Sequence, residues 1–212
     1  LAVHWPKEYG GLGLTPLDHL IYKEEAYYHL APDVPTHMAR DIVAPVIMMY
    51  GTEEQKRKYV VPIAAGEVSF CQGFSEPGAG SDLAGLQTRA IEDGDGFVIN
   101  GQKIFTSRAH RAEYCWLAAR TDPTATRHRG LSTLVVDMKS PGVTVRPLTT
   151  LAGNQTFNEV FFEDVRVPVD NRIGDENRGW YVGTTTLDFE RSSIGSAIGV
   201  RKALEGLIKQ AK

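Results

Sequence analysis

Residues 71–90 read CQGFSEPGAGSDLAGLQTRA, and after a short turn residues 96–107 read GFVINGQKIFTS. A strand-like apolar run breaks after Phe74 into a bend of Pro77, Gly78, Ala79 and Gly80. The hydroxyls of Ser75 and Ser81 and the carboxylates of Glu76 and Asp82 flank it. Backbone N–H groups freed by glycine, with a hydroxyl beside them, make a phosphate cradle. The same residues make a strand-ending turn, in which proline sets one dihedral and glycine supplies a positive one. Spacing allows both readings. It excludes a dinucleotide fingerprint, because Leu83 stands where a third glycine belongs, and a P-loop, because no Gly-Lys-Ser/Thr follows. The two acids oppose a phosphate unless they turn away.

Outward from this stretch the middle of the chain keeps a strand-like composition. VSFCQGF, LQTRAIE, GFVIN, QKIFTS, EYCWLAAR, STLVVDM, VTVRPL and NEVFFEDVRV are short and rich in β-branched and aromatic residues. EDGDG gives a hairpin signal, and Asn100-Gly101 gives a second. Strands at this spacing with no helices between them indicate an antiparallel β-barrel or sandwich. The flanks are helical. Thr15 precedes PLDHLIYKEEAYYHLA, with apolar residues at Leu17, Leu20, Ile21, Tyr27 and Tyr28. A second helix is expected over 36–50 with Pro45 kinking it, and Thr52 caps a third that Gly66 closes. From Gly179 the helical period returns, and Leu187, Glu190, Ile194, Ile198, Leu204 and Ile208 fall near one side. Gly195, Gly199 and Gly206 are expected to admit a close neighbour.

The fold class is therefore α+β. With 23 Lys and Arg against 26 Asp and Glu, the net charge of −3 argues against a nucleic-acid surface. No apolar run reaches the roughly 20 residues that cross a bilayer. Cys71 and Cys115 sit in apolar runs and read as buried thiols, and the histidines show no metal spacing. Leu1 lacks an initiator methionine and Lys212 ends inside a helical pattern, so the chain reads as a piece of a longer protein.

Several long motifs in order carry a resemblance. The 71–90 and 96–107 stretches resemble the flavin-binding middle domain of the acyl-CoA dehydrogenase family. WPKEYGGLGLTPLD resembles that family's N-terminal helical domain, FNEVFFEDVRVP its last barrel strand, and LDFERSSIGSAIG the start of its C-terminal helical bundle. The resemblance implies three parts: residues 1–66, 67–172 and 173–212. It implies FAD as cofactor, with the first flavin segment on Gln72, Gly73, Phe74, Ser75, Gly80 and Ser81 and the second on Phe105, Thr106 and Ser107. Ser75 matches a hydroxyl that binds the isoalloxazine ring, and Ser81 one near the pyrophosphate and the substrate. Many relatives have tryptophan at Phe105 and threonine at Ser107. Phe105 keeps a ring face without the indole N–H, and Ser107 keeps a hydroxyl. Taken alone, IFTS would put Phe105 inside the barrel.

The implied reaction is α,β-desaturation of an acyl-CoA, with electrons passed to an electron-transfer flavoprotein. A carboxylate in a dry pocket takes the α-proton. Most relatives carry that base late in the C-terminal domain. The isovaleryl-CoA and long-chain types carry it on the first bundle helix, where it falls on Glu190. Asp188, Phe189, Glu190 and Arg191 form the matching substrate segment. Without the resemblance, Glu190 reads as a helix glutamate paired with a neighbour. An acyl-CoA oxidase of the same fold and a non-catalytic partner subunit are the alternatives. Arg127, His128 and Arg129 form a positive loop that is either solvated or near CoA phosphates. Relatives assemble as homodimers or homotetramers, with a heteromer as a further form. No metal, nucleic acid or membrane is expected, and a cytoplasmic or mitochondrial-matrix setting suits the composition.

Overall fold

The computed structural model describes residues 2–31, 37–191 and 194–211, with backbone alone at 194–196. One mixed sheet organises them. Its strands are β1 (Phe70–Gly73), β2 (Arg89–Asp93), β3 (Gly96–Lys103), β4 (Tyr114–Arg120), β5 (Leu131–Asp137), β6 (Val143–Leu148), β7 (Phe157–Pro168) and β8 (Arg172–Ile173). Their order is β6-β7-β3-β2-β4-β5-β8, with β1 against β4. The sheet is not closed, because β6 and β8 stand at its two ends. Most ladders are antiparallel, as expected, but β1 and β2 each join β4 in parallel. The long segment from the glycine bend to β4 makes the first of these parallel pairings possible.

The second hairpin signal is corrected. GFVIN and the start of QKIFTS are not two strands about a turn; they are one strand, β3, which ends at Lys103 and runs along β7 with a register shift between Ile99 and Gly101. A Cβ on Gly101 would lie 2.7 Å from Thr88 Cα, so glycine is needed for close approach. Asn100 Nδ2 donates to Asp164 Oδ1 at 2.9 Å, and the Asp164 N–H donates back to Asn100 Oδ1 at 3.0 Å. Bulges and tight turns draw on the same residues because both need an irregular backbone. EDGDG does form a hairpin, between β2 and β3.

β4 shows why its sequence is an unbroken apolar run. Cys115, Leu117 and Ala119 face a core with Phe97, Ile99, Leu134, Val160 and Phe162. Trp116 and Ala118 face the opposite core, with Trp5, Ile47, Tyr59, Phe70 and Phe74. A strand covered on both faces hides its two-residue period. Cys71 and Cys115 are free, buried and directly paired in register across β1 and β4.

Helices cover the face bearing Trp116. Helix α1 (Pro16–Tyr28) starts with a capping box: Thr15 N–H donates to Asp18 Oδ2 at 2.8 Å and Asp18 N–H to Thr15 Oγ1 at 3.2 Å. Its expected apolar face, however, is not in the core. None of its residues is buried, and Leu17, Leu20 and Ile21 are exposed. It holds the last helix by polar contacts instead, with Tyr28 Oη donating to Glu205 at 2.7 Å and Lys202 to the Tyr28 carbonyl at 2.7 Å. Thr36, the expected start of the second helix, lies outside the described residues. The expected span continues as a π-helical stretch, Ala39–Val43, and then α2 (Ala44–Tyr50). The next helix repeats this: α3 (Glu53–Gln55), a π-helical Lys56–Val60, then α4 (Val61–Ala65). Each widened turn lies just before a proline, Pro45 or Pro62, whose missing N–H and bulky ring a regular α-turn does not accommodate.

Helix α5 (Gly179–Arg191) packs on the sheet through Gly179, Val182, Gly183 and Thr186. A Cβ on Gly179 would lie 2.4 Å from Ser132 Cα, so the helix start presses directly on β5. The Trp116 indole N–H donates to Thr186 Oγ1 at 3.1 Å and fixes the helix rotation. Helix α6 (Ile194–Gln210) buries Ile198 but exposes Leu204 and Ile208. Among the described residues nothing lies within 4 Å of a Cβ placed on Gly199 or Gly206, contrary to expectation, and the surroundings of Ile194 and Gly195 lie outside the described residues.

Candidate active site

At the junction of sheet and helices lies a cavity of about 1160 Å³. Its wall takes Gln72, Phe74 and Ser75 from the end of β1, Phe105 and Ser107 from the segment after β3, and Glu190 from α5. Glu190 arrives there by helical geometry. The buried stripe Gly179–Val182–Gly183–Thr186 follows the i, i+3, i+4, i+7 pattern of one helix face, and Glu190 stands one turn beyond Thr186. Its carboxylate is exposed on the cavity side, where Gln72 Nε2 donates to it at 3.3 Å.

The glycine bend is a closed turn in which Glu76 and Ala79 exchange N–H···O bonds at 2.8 and 3.0 Å. Gly78 and Gly80 do not have a positive φ, so the conformational reading of these glycines is corrected. A Cβ on either would meet nothing within 4 Å, so their outer face is open to close approach by a ligand. The Glu76 acid is turned away. Its carboxylate is buried and accepts from Gln87 N–H at 2.6 Å, Thr88 N–H at 2.8 Å and Lys103 Nζ at 2.8 Å. Burial opposes its ionisation, but Lys103 and these hydrogen bonds outweigh that and hold its carboxyl below the usual range. Lys103 is fully buried, and burial lowers its own pKa. Asp82 stays exposed.

Beyond Lys103 the chain leaves β3 and forms a hook. Thr106 and Asn158 exchange backbone hydrogen bonds at 3.0 and 3.1 Å, and Arg108 N–H donates to the Thr156 carbonyl at 2.8 Å. Asn158 Nδ2 adds a bond to the Thr106 carbonyl at 2.9 Å, and His110 Nδ1 donates to Asn158 Oδ1 at 3.0 Å. Within the hook Phe105 has φ +57 and Arg108 φ +58, a left-handed backbone that is costly for a bulky residue. Phe105 is not a barrel-core residue. It is 63% exposed and meets Phe157 edge-on, ring centroids 6.3 Å apart.

Two buried polar atoms have no hydrogen-bond partner among the described residues: Oε1 of Gln72, on the cavity wall, and Oγ1 of Thr106, between the wall residues Phe105 and Ser107. With the open glycine turn, the hydroxyls of Ser75 and Ser107 and the bare face of Phe105, they fit a flat heteroaromatic ligand carrying a pyrophosphate. Other expected residues lie elsewhere. Gly73 is packed inside, since a Cβ there would lie 2.6 Å from Cys115 Sγ. Gly80 and Ser81 are exposed on the turn and outside the cavity wall. Asp188 and Arg191 pair at 3.6 Å on the exposed side of α5, and Phe189 packs on the helical core. The wall also contains residues that pattern reading missed: Arg108 in the hook with His110 and Arg111 after it, and Asn154, Gln155 and Thr156 before β7 with Phe157 at its start. The basic run RAHR beside the expected flavin segment was the available signal for the first group; the second had none. Loop residues His128 and Arg129 line a separate cavity of about 430 Å³ with Arg178, and Arg127 does not.

Residues 1–67 match the acyl-CoA dehydrogenase N-terminal domain and residues 71–165 the acyl-CoA dehydrogenase middle domain. The chain belongs to the acyl-CoA dehydrogenase family. Acyl-CoA dehydrogenase FadE29 of Mycobacterium tuberculosis is 46% identical over 198 residues, which is 93% of this chain and 50% of the relative. Among solved structures, the Tcur3481-Tcur3483 steroid ACAD superposes with a TM-score of 0.83 at 44% identity, over 93% of this chain and 50% of that one. The ChsE4-ChsE5 complex from Mycobacterium tuberculosis gives 0.79 at 48%, over 89% and 48%. The chain spans about half the length of the relatives it matches. Among the described residues no helix is long and apolar enough to cross a membrane.

Proposed function

We propose that the protein desaturates an acyl-CoA thioester between its α- and β-carbons with FAD bound in the cavity, and that its electrons pass to an electron-transfer flavoprotein. The observation that carries this reading is the meeting of Ser75, Phe105, Ser107 and Glu190 on one cavity. FAD supplies the two-electron acceptor for the hydride that leaves the β-carbon. The chain's own residues hold and orient. Ser75 and Ser107 offer hydroxyls to the ring edge, Phe105 covers a ring face, and the open backbone at Gly78 and Gly80, with the Ser81 hydroxyl, receives the pyrophosphate. Glu190 removes the α-proton, and the electron pair left behind forms the new double bond. An acyl chain filling the cavity excludes water from the point where the proton is taken. Asp188, Phe189 and Arg191 bound the substrate segment of the same helix. Residues 1–66, 67–172 and 173–212 are then the helical, flavin-binding and bundle parts.

The test is anaerobic mixing of FAD-loaded natural full-length protein with acyl-CoA thioesters, including ones with a bulky ring-bearing acyl group, as the steroid ACAD likeness invites. Loss of flavin absorbance with formation of the enoyl product is expected. Glu190→Gln should slow bleaching by about 10²-fold or more while FAD stays bound. Retained full rate would remove Glu190 from its role. Peroxide formed stoichiometrically in air would instead favour an oxidase. The likeness to a two-component complex makes a heteromer the favoured assembly over a homodimer or homotetramer, and the mass of the natural full-length protein purified alone tests it: a stable FAD-loaded homodimer or homotetramer would refute the heteromer.

A further inference from the structure

We propose that the buried Glu76–Lys103 ion pair is a positioning device that sets the gap between the two flavin-facing segments, an inference that rests on the reading of the cavity as an FAD site. The two segments come from different strands. Ser75 follows β1, and Phe105 to Ser107 follow β3. β1 and β3 are not paired with each other in the sheet, since β1 pairs with β4 and β3 with β2 and β7. Sheet hydrogen bonding therefore does not fix the distance between them.

What joins them is local. Lys103, the last residue of β3, crosses under the end of β1 and donates from Nζ both to the Phe74 carbonyl at 3.0 Å and to Glu76 Oε1 at 2.8 Å. One residue on, Ile104 N–H donates to the Ser75 carbonyl at 2.9 Å. Phe74, Ser75 and Glu76 are thus gripped in succession by Lys103 and Ile104. The second Glu76 oxygen anchors the far side of the turn by accepting from Gln87 N–H at 2.6 Å. Nothing about a β-turn or a strand end requires a fully buried ammonium. An apolar pair would fill the space with less desolvation. A lysine reaching a carbonyl and a carboxylate at once does impose one register of the two segments, and the hook that comes after it starts with the strained Phe105. Neither residue lines the cavity, so both act through Ser75, Phe105 and Ser107.

The test compares wild type with the double variant Glu76→Gln, Lys103→Met in the full natural chain. The exchange removes both charges while keeping side-chain volume. Expected is a folded protein by far-UV circular dichroism whose FAD dissociation constant, from flavin fluorescence titration, rises at least tenfold. Its bound-flavin visible spectrum should also lose vibronic structure. A wild-type Kd and spectrum in the folded double variant would overturn the proposal. Should the double variant not fold, Glu76→Asp, which keeps the charge but shortens the reach, decides: at least threefold weaker FAD binding supports the device and an unchanged Kd and spectrum refutes it. If wild type binds no FAD, the failure lies with the FAD reading and is distinguishable from either result.

Discussion

The left-handed backbone at Phe105 can be weighed by comparing two substitutions at one position. Phe105 has φ +57 and is 63% exposed. Roughly a third of its ~200 Å² is therefore covered, which at ~25 cal/mol per Å² is about 2 kcal/mol, lost equally in Phe105→Ala and Phe105→Gly. The two variants differ in the backbone. Alanine keeps a left-handed cost of ~1–2 kcal/mol, which glycine does not bear. Glycine gains ~0.4–1 kcal/mol of unfolded-chain entropy, which opposes it. Glycine should therefore be the more stable variant by about 0.5–1 kcal/mol, or about 1–4 °C in Tm for a chain of this size. Both should lose ring stacking of ~1 kcal/mol, weakening FAD by about fivefold. Thermal and urea melts of the apo forms, with FAD titrations of each, give the numbers. An alanine variant as stable as glycine would show that the hook carries no strain. Undiminished FAD affinity in both would show that the ring does not meet the flavin.

Gly80→Val should leave the apo melting temperature within about 2 °C, because the added side chain meets open space, yet weaken FAD severalfold; equal affinity would take the turn out of the cradle. Gly101→Ala should cost ~2–3 kcal/mol, since its Cβ would strike Thr88 at the bulge, and a melt close to wild type would refute that crowding. The His4 and His19 rings pack tilted by 41° with centroids 4.1 Å apart, and burial first, then the neighbouring His4 and Lys23, lowers the His19 pKa to about 4. A histidine held neutral in the fold stabilises fully above its unfolded value of 6.5, and this contribution is lost as pH falls from 6.5 toward about 4. The urea midpoint should therefore drop between pH 7 and pH 5, and His19→Gln should flatten that drop; an unflattened profile would place the titration elsewhere.

Local pattern was enough for the elements whose cause is local. The Pro16 helix start, the Thr52 cap, the EDGDG hairpin, the Gly66 helix end and the alternating strands all follow from dihedral preference and side-chain period, which a short window contains. The family resemblance was legible for a different reason: long ordered motifs carry family history. Of the residues it singled out, Gln72, Phe74, Ser75, Phe105, Ser107 and Glu190 line one cavity. Partner choice was not legible. Asn100-Gly101 suits a turn and a bulge equally, and only the long β7 ladder passing beside it selects the bulge. The apolar residues of α1 have helical spacing, but which face meets a neighbour depends on Tyr28 and Glu205, 177 residues apart. Glu76 looked like a hindrance to phosphate until Lys103, which no spacing rule connects to it, was found buried against it. The residues alone determined which segments are helix, strand or bend, because that energy is settled between near neighbours. Which charges cancel and which rings stand open to a ligand was decided by folding, because those energies depend on distances between residues far apart in the chain.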